Sequence, residues 1–141
     1  NVTSVGVVLP IEHQFNALPH ATNAWFQDWY KQYPTIHELL MNAVMHRDYA
    51  ATAPLRITWL NDRLEIQSPG GLYGEASREN FPQQTSYRNP VIAEAMKGLG
   101  YVNRFGRGVL RAQAALEKNG SPPPEFQFDA GYVLAIIRRR A

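Results

Sequence analysis

Thr35-Ile36-His37-Glu38-Leu39-Leu40-Met41-Asn42-Ala43-Val44-Met45-His46-Arg47-Asp48-Tyr49 sorts apolar from polar side chains at helical spacing. Ile36, Leu39, Leu40, Ala43 and Val44 follow the i, i+3, i+4, i+7, i+8 pattern of a buried helix face. Glu38, Asn42 and His46 recur every four residues. At about 3.6 residues per turn they form one polar line along the edge of that face. A carboxylate, an amide and an imidazole so placed can serve proton transfer and metal binding, and a hydrogen-bonded helix flank would carry the same residues. The helix start offers Glu38 another use. Thr35 suits an N-cap behind Pro34, and Glu38 then completes a capping box, in which the carboxylate bonds a backbone amide and needs no substrate.

The chain has 141 residues, of which 45% are hydrophobic and 11% aromatic. At that length roughly two-thirds of the unfolded surface can be buried, which suits a single domain with a real core. No apolar run approaches the ~18 residues of a membrane span, so a soluble chain with no membrane partner is expected. Cysteine is absent, which excludes disulfides and thiolate metal sites and agrees with a cytoplasmic setting. The chain opens at Asn1 in strand-like residues without an initiator Met, and so reads as a piece of a longer protein. Its formal charge of +2 and pI of about 9.1 fall short of the dense positive field of a dedicated nucleic-acid binder. Arg138-Arg139-Arg140 follows an apolar strand and reads as solvated terminal charge.

Outward from the helix, residues 2–9 read as a first strand ended by Pro10. Between residues 21 and 33, Trp25, Phe26, Trp29, Tyr30 and Tyr33 fall at three- and four-residue steps, which predicts a short amphipathic helix. Alternation in Leu55-Arg56-Ile57-Thr58-Trp59-Leu60 and Arg63-Leu64-Glu65-Ile66 around Asn61-Asp62 predicts a β-hairpin. Ser68-Pro69-Gly70-Gly71-Leu72 follows at once, and its paired glycines let a backbone turn sharply or approach a ligand. Residues 73–87 lack periodicity and read as a long loop, suited to a lid or to disorder. Asn89 and Pro90 open a helix running to about Leu99, and another is expected from near Arg107 until Asn119-Gly120 and the run Pro122-Pro123-Pro124. Residues 132–137 form a last apolar strand. Helices set apart from mostly antiparallel strands predict an α+β, two-layer sandwich, its mixed sheet covered by helices on one face.

Counting removes several chemistries. No G-x-x-x-x-G-K-[ST] run exists, so the chain is neither a conventional helicase motor nor a P-loop kinase. His46-Arg47-Asp48-Tyr49 imitates a kinase catalytic loop, but Ala53 stands where that loop needs Asn. The histidines make no H-E-x-x-H pair, so a zinc site is not expected. Gly106-Arg107-Gly108 before a helix offers free amides and a positive dipole end, which suit a phosphate.

In order, Glu38-x-x-x-Asn42 on a helix, a glycine turn after a strand and a glycine turn opening a later helix resemble the ATP-binding (GHKL, or Bergerat) fold of gyrase, histidine kinases and MutL-type ATPases. The resemblance implies that Glu38 acts as general base and Asn42 as Mg²⁺ ligand. It implies Ser68, Gly70 and Gly71 on the adenine side, and Gly106 and Gly108 on the phosphate side, with ATP and Mg²⁺ as cofactors. A narrower resemblance covers residues 34–137. The stretch from Glu38 to Tyr49, Ser68-Pro69-Gly70-Gly71-Leu72, Arg88-Asn89-Pro90 and Gly106-Arg107-Gly108 together resemble the RecG-related C-terminal domain of bacterial predicted transcriptional regulators. Those proteins carry a Schlafen-like (AlbA-type) N-terminal domain. Through the shared motifs His46, Arg88 and Arg107 join the nucleotide-binding set, and DNA becomes a partner only through the N-terminal region.

Two departures stand out. The superfamily places Asp, and the regulators commonly Asn, where Ser68 stands here; a neutral acceptor makes a weaker bond to the adenine amino group than a carboxylate. Asn103 precedes Arg104 where the regulators tend to carry Glu. The resemblance implies a nucleotide-binding regulatory domain with slow Mg²⁺-dependent hydrolysis. The alternative is a degenerate relative serving as a dimerisation or protein-interaction module, with a homo-oligomer as its partner state. Direct nucleic-acid binding through Arg104, Arg107, Arg111 and the terminal arginines is a third reading.

Overall fold

A computed structural model describes residues 3–6, 33–82, 86–102 and 108–139. Among them run β1 (Thr3–Gly6), α1 (Tyr33–His46), β2 (Arg56–Trp59), β3 (Arg63–Pro69), α2 (Pro90–Gly98), α3 (Gly108–Lys118), β4 (Glu125–Phe128) and β5 (Tyr132–Arg138). The aromatic helix expected between residues 21 and 33 lies outside the described residues, apart from Tyr33, which opens α1.

The strands form one five-stranded sheet in the order β1-β2-β3-β5-β4, and all four pairings are antiparallel. Its hairpin is the one the alternation predicts: Ile57 pairs with Ile66 and Trp59 with Leu64, with Leu60 N–H closing the turn on the Arg63 carbonyl at 2.9 Å. Across β5 the register sets Leu64 against Ile137, Ile66 against Ala135 and Ser68 against Val133. Because side chains alternate across a strand, these residues share one face. That face is covered by α1, whose Ile36, Leu39 and Leu40 are almost fully buried. Met41 and Met45 are buried as well, since α1 also packs against α3 and touches α2. Such a core of Leu, Ile and Met dominates stability, at about 1.5–3 kcal/mol per fully buried side chain.

Three local readings change. The helix starts at Tyr33 and places Thr35 inside its first turn, buried at 1% exposure, so the expected capping box does not form. Pro34 in that turn removes only an amide that lacks an intrahelical partner anyway. Asn89 stands at the N-cap of α2 without a side-chain cap bond. Its amide instead donates to the Met45 and Arg47 carbonyls at 3.0 and 2.6 Å, closing the C-terminal end of α1. Strand β4, absent from the sequence reading, pairs with β5 along the sheet edge, Phe126 opposite Ala135 and Phe128 opposite Val133.

Candidate functional site

Helix α1 presents Glu38, Asn42 and His46 as the predicted polar line, and two clefts meet along it. The first holds about 640 Å³ with its open mouth counted and lies between α1 and the sheet, lined by Asn42, His46, Ser68, Gly70 and Gly71 together with apolar groups such as Phe126. The second, about 480 Å³ on the same measure, is lined by Glu38, Asn42, His46, Tyr87 and the first residues of α3 from Gly108. Asn42 and His46 line both. Residues 38, 70 and 108 thus converge on one ridge although far apart in the chain.

The glycine turn ending β3 owes its shape to close backbone approach. Gly70 adopts φ +93°, and a Cβ there would fall 2.7 Å from the Asp48 Cβ. Gly71 is equally constrained, since a Cβ would lie 2.5 Å from the Asp129 carbonyl oxygen. The segment after α1 packs onto this turn, with Asp48 N–H donating to the Pro69 carbonyl at 2.8 Å and Gly70 N–H to the Gly131 carbonyl at 2.8 Å. Arg47 donates to the Asp48 and Ala53 carbonyls at 2.9 and 2.6 Å. The histidine-arginine-aspartate run therefore braces a loop.

Arg88, expected among the nucleotide-binding residues, holds the same turn. Its Nη2 donates to the Gly71 carbonyl at 3.1 Å, its guanidinium lies 4.8 Å from the Tyr73 ring centroid, and Asp48 Oδ2 stands 3.9 Å from Nη1. Ser68 is buried and its hydroxyl donates to the Ala43 carbonyl at 3.0 Å. With that hydrogen committed, only its lone pairs remain for anything in the first cleft.

Glu38 pairs with Arg111, whose Nη2 donates to Oε1. Gly108 packs against the same carboxylate, because a Cβ there would lie 2.8 Å from Oε2. The Asn42 side-chain amide has no hydrogen-bond partner among the described residues and so retains its full donor and acceptor capacity. His46 stacks on Tyr87 with ring centroids 5.7 Å apart. Burial, aided by the nearby Arg88 guanidinium and opposed by a hydrogen bond to the Ser86 backbone, holds the imidazole below its ordinary pKa of 6.5. The neutral form is thereby favoured. Gly106 and Arg107 lie outside the described residues, as do Asn103 and Arg104.

Of the segment that lacked periodicity, the described residues 73–82 and 86–87 border both clefts. Tyr73 and Phe81 line the first cleft, while Pro82 and Tyr87 line the second. Ser77 N–H donates to Asn80 Oδ1 at 2.7 Å and Glu75 N–H to Ser86 Oγ at 3.1 Å. Phe81 packs edge-on against Phe126 and Phe128 at 4.8 and 4.9 Å, and Arg78 donates to the Phe128 carbonyl. Sequence reasoning missed Phe81 and Phe126, and named Arg111 only as a nucleic-acid contact. Alternation of Phe126 and Phe128 with exposed Glu125 and Gln127 was the available signal for the second; nothing local announced that Arg111 meets Glu38. Of the arginines considered for nucleic acid, Arg111 is paired with Glu38 and Arg138 with Glu125 at 2.7 Å, while Arg104, Arg107 and Arg140 lie outside the described residues. No helix of the described residues is long and apolar enough to cross a membrane, and among them no group of three or more His, Cys, Asp or Glu is placed to hold a metal ion.

Residues 52–137 match the protein family described as "Putative ATP-dependent DNA helicase recG C-terminal". Among solved structures, the DIP2311 protein from Corynebacterium diphtheriae is similar, at 30% identity and a TM-score of 0.70 over 76% of this chain. The match spans 23% of that protein's length. No curated protein matches the chain.

Proposed function

We propose, since the chain belongs to this RecG C-terminal family of ATPase-type domains, that its paired clefts bind ATP with Mg²⁺. One observation carries the reading: the glycine turn after β3 and the first turn of α3 border the same Asn42 and His46 ridge. The base would enter the first cleft, where Ser68 can only accept, which suits the amino group of adenine over the oxygen of guanine. The phosphates would occupy the second cleft, at the amino-terminal end of α3 where backbone amides favour anions.

The donor set fits magnesium, which takes few protein oxygens and keeps waters and substrate phosphates around it. Asn42, with its amide unengaged, would hold the ion, which when bound neutralises phosphate charge. Glu38 would orient a water and accept its proton, giving slow hydrolysis. Arg88, Gly70 and Gly71 would act on the base side by shaping the turn, and His46 would line both halves as a neutral group. Gly106 and Arg107 would complete the phosphate side. In a longer, cytoplasmic transcriptional regulator, nucleotide binding would act through the loop over the clefts on a DNA-binding region elsewhere in the protein.

Calorimetric titration with ATP and Mg²⁺ tests this directly. Saturable heat that Asn42→Ala removes is the expected result; no heat at millimolar nucleotide would refute it. Ser68 favours a second reading, because its neutral acceptor replaces the carboxylate of the superfamily. In that case the fold is a degenerate interaction or dimerisation module, and Asn42→Ala leaves regulation by the parent protein intact.

A further inference from the structure

We propose that Arg111 is the positioning residue for the Glu38 carboxylate, an assignment that rests on the nucleotide reading above. Its guanidinium reaches across from α3 and holds Oε1. The other oxygen lies beside Gly108, where a Cβ would stand 2.8 Å away and crowd it. The two oxygens are therefore in different situations: one is held by a cation, and the other is left uncrowded by a residue without a side chain, at the cleft that Asn42 also lines. Stability alone gives a poor account of the pair. Arg111 is 44% exposed and Glu38 18%, and an ion pair whose cation stands this open to solvent contributes only modestly to folding. A guanidinium is a planar, pre-organised fork, so it fixes the orientation of a carboxylate as well as its charge.

In the hydrolytic step the water oxygen bonds to the γ-phosphorus. The bond from that phosphorus to the bridging oxygen breaks, its electron pair leaving on ADP, and one proton of the water passes to Glu38 Oε2 and then to solvent. Arg111 touches neither water nor nucleotide in this arrangement. Its contribution is to hold the accepting oxygen in line with the water, and misplacement by about 1 Å can cost about a hundredfold in rate.

Arg111→Gln separates this role from a phosphate-binding or a purely structural one. Calorimetry with ATP and Mg²⁺ should give a Kd within about twofold of wild type, while single-turnover kcat falls by about a hundredfold. Arg111→Lys, which keeps the charge and loses the fork, should recover part of the rate. Thermal melting of both variants is recorded alongside, and should Arg111→Gln fail to fold, the lysine variant carries the same Kd-against-kcat comparison. Unchanged kcat, or a weakened Kd at unchanged kcat, would overturn the assignment. Binding without any wild-type turnover would remove the role of the pair and leave nucleotide binding standing. A wild-type chain that does not bind ATP removes both.

Discussion

Asn42 is where chemistry and folding separate most cleanly, because its amide bonds nothing among the described residues while lining both clefts. Replacing it by Ala should leave stability within about 0.5 kcal/mol of wild type, as substitutions away from packed or bonded features do. Loss of Mg²⁺-dependent ATP binding with an unchanged melting temperature is the expected pair of results. His46 behaves in the opposite way. Its pKa in the fold lies below the ordinary 6.5, chiefly through burial, so the unfolded chain binds the proton more readily. The stability from neutral His46 is complete above about pH 6.5 and is lost as pH falls from there through the lowered value. Urea midpoints measured from pH 7.5 to 5 should therefore fall for wild type and fall less for His46→Gln. The polar line was legible because residues spaced by four share a helix edge whatever surrounds them. What each member touches was not legible, since Arg111 and Tyr87 reach it from segments distant in sequence.

Elements were legible where their own periodicity specifies them. Helix α1, the β2–β3 hairpin, α2 and β5 follow apolar spacing of their own, and each appears close to its expected range. Strand β4 has four residues behind a proline run, too short for periodicity to speak, and is defined by pairing with β5. Capping was misread for a similar reason. Thr35 and Asn89 have the right side chains for N-caps, yet tertiary packing buries one inside the helix and turns the other toward the end of α1. The glycine turn is the element whose shape can be tested by one substitution. Gly70→Ala would demand φ +93° of a residue with a Cβ, and would drive that atom to 2.7 Å from Asp48. A loss of about 1–3 kcal/mol is expected, read as an earlier urea midpoint. Unchanged stability would mean that the segment 47–49 does not rest on this turn.

At the scale of the whole molecule, one apolar layer between α1 and the sheet positions everything else. Leu40 is fully buried in that layer, so Leu40→Ala should cost about 2–5 kcal/mol and loosen helix and sheet in a single cooperative transition. Separate transitions in far- and near-ultraviolet circular dichroism would argue against a shared core. Because α1 contributes apolar residues to that layer and polar ones to its edge, folding itself brings Glu38, Asn42 and His46 to the meeting line of the two clefts. A nucleotide should lie along this line. This is tested most directly by a crystal structure of the chain with a non-hydrolysable ATP analogue and Mg²⁺. The base should lie beside Ser68 and Gly71, the phosphates at the start of α3, and the ion on Asn42. A cleft closed by its own side chains, or an analogue bound away from this ridge, would contradict it.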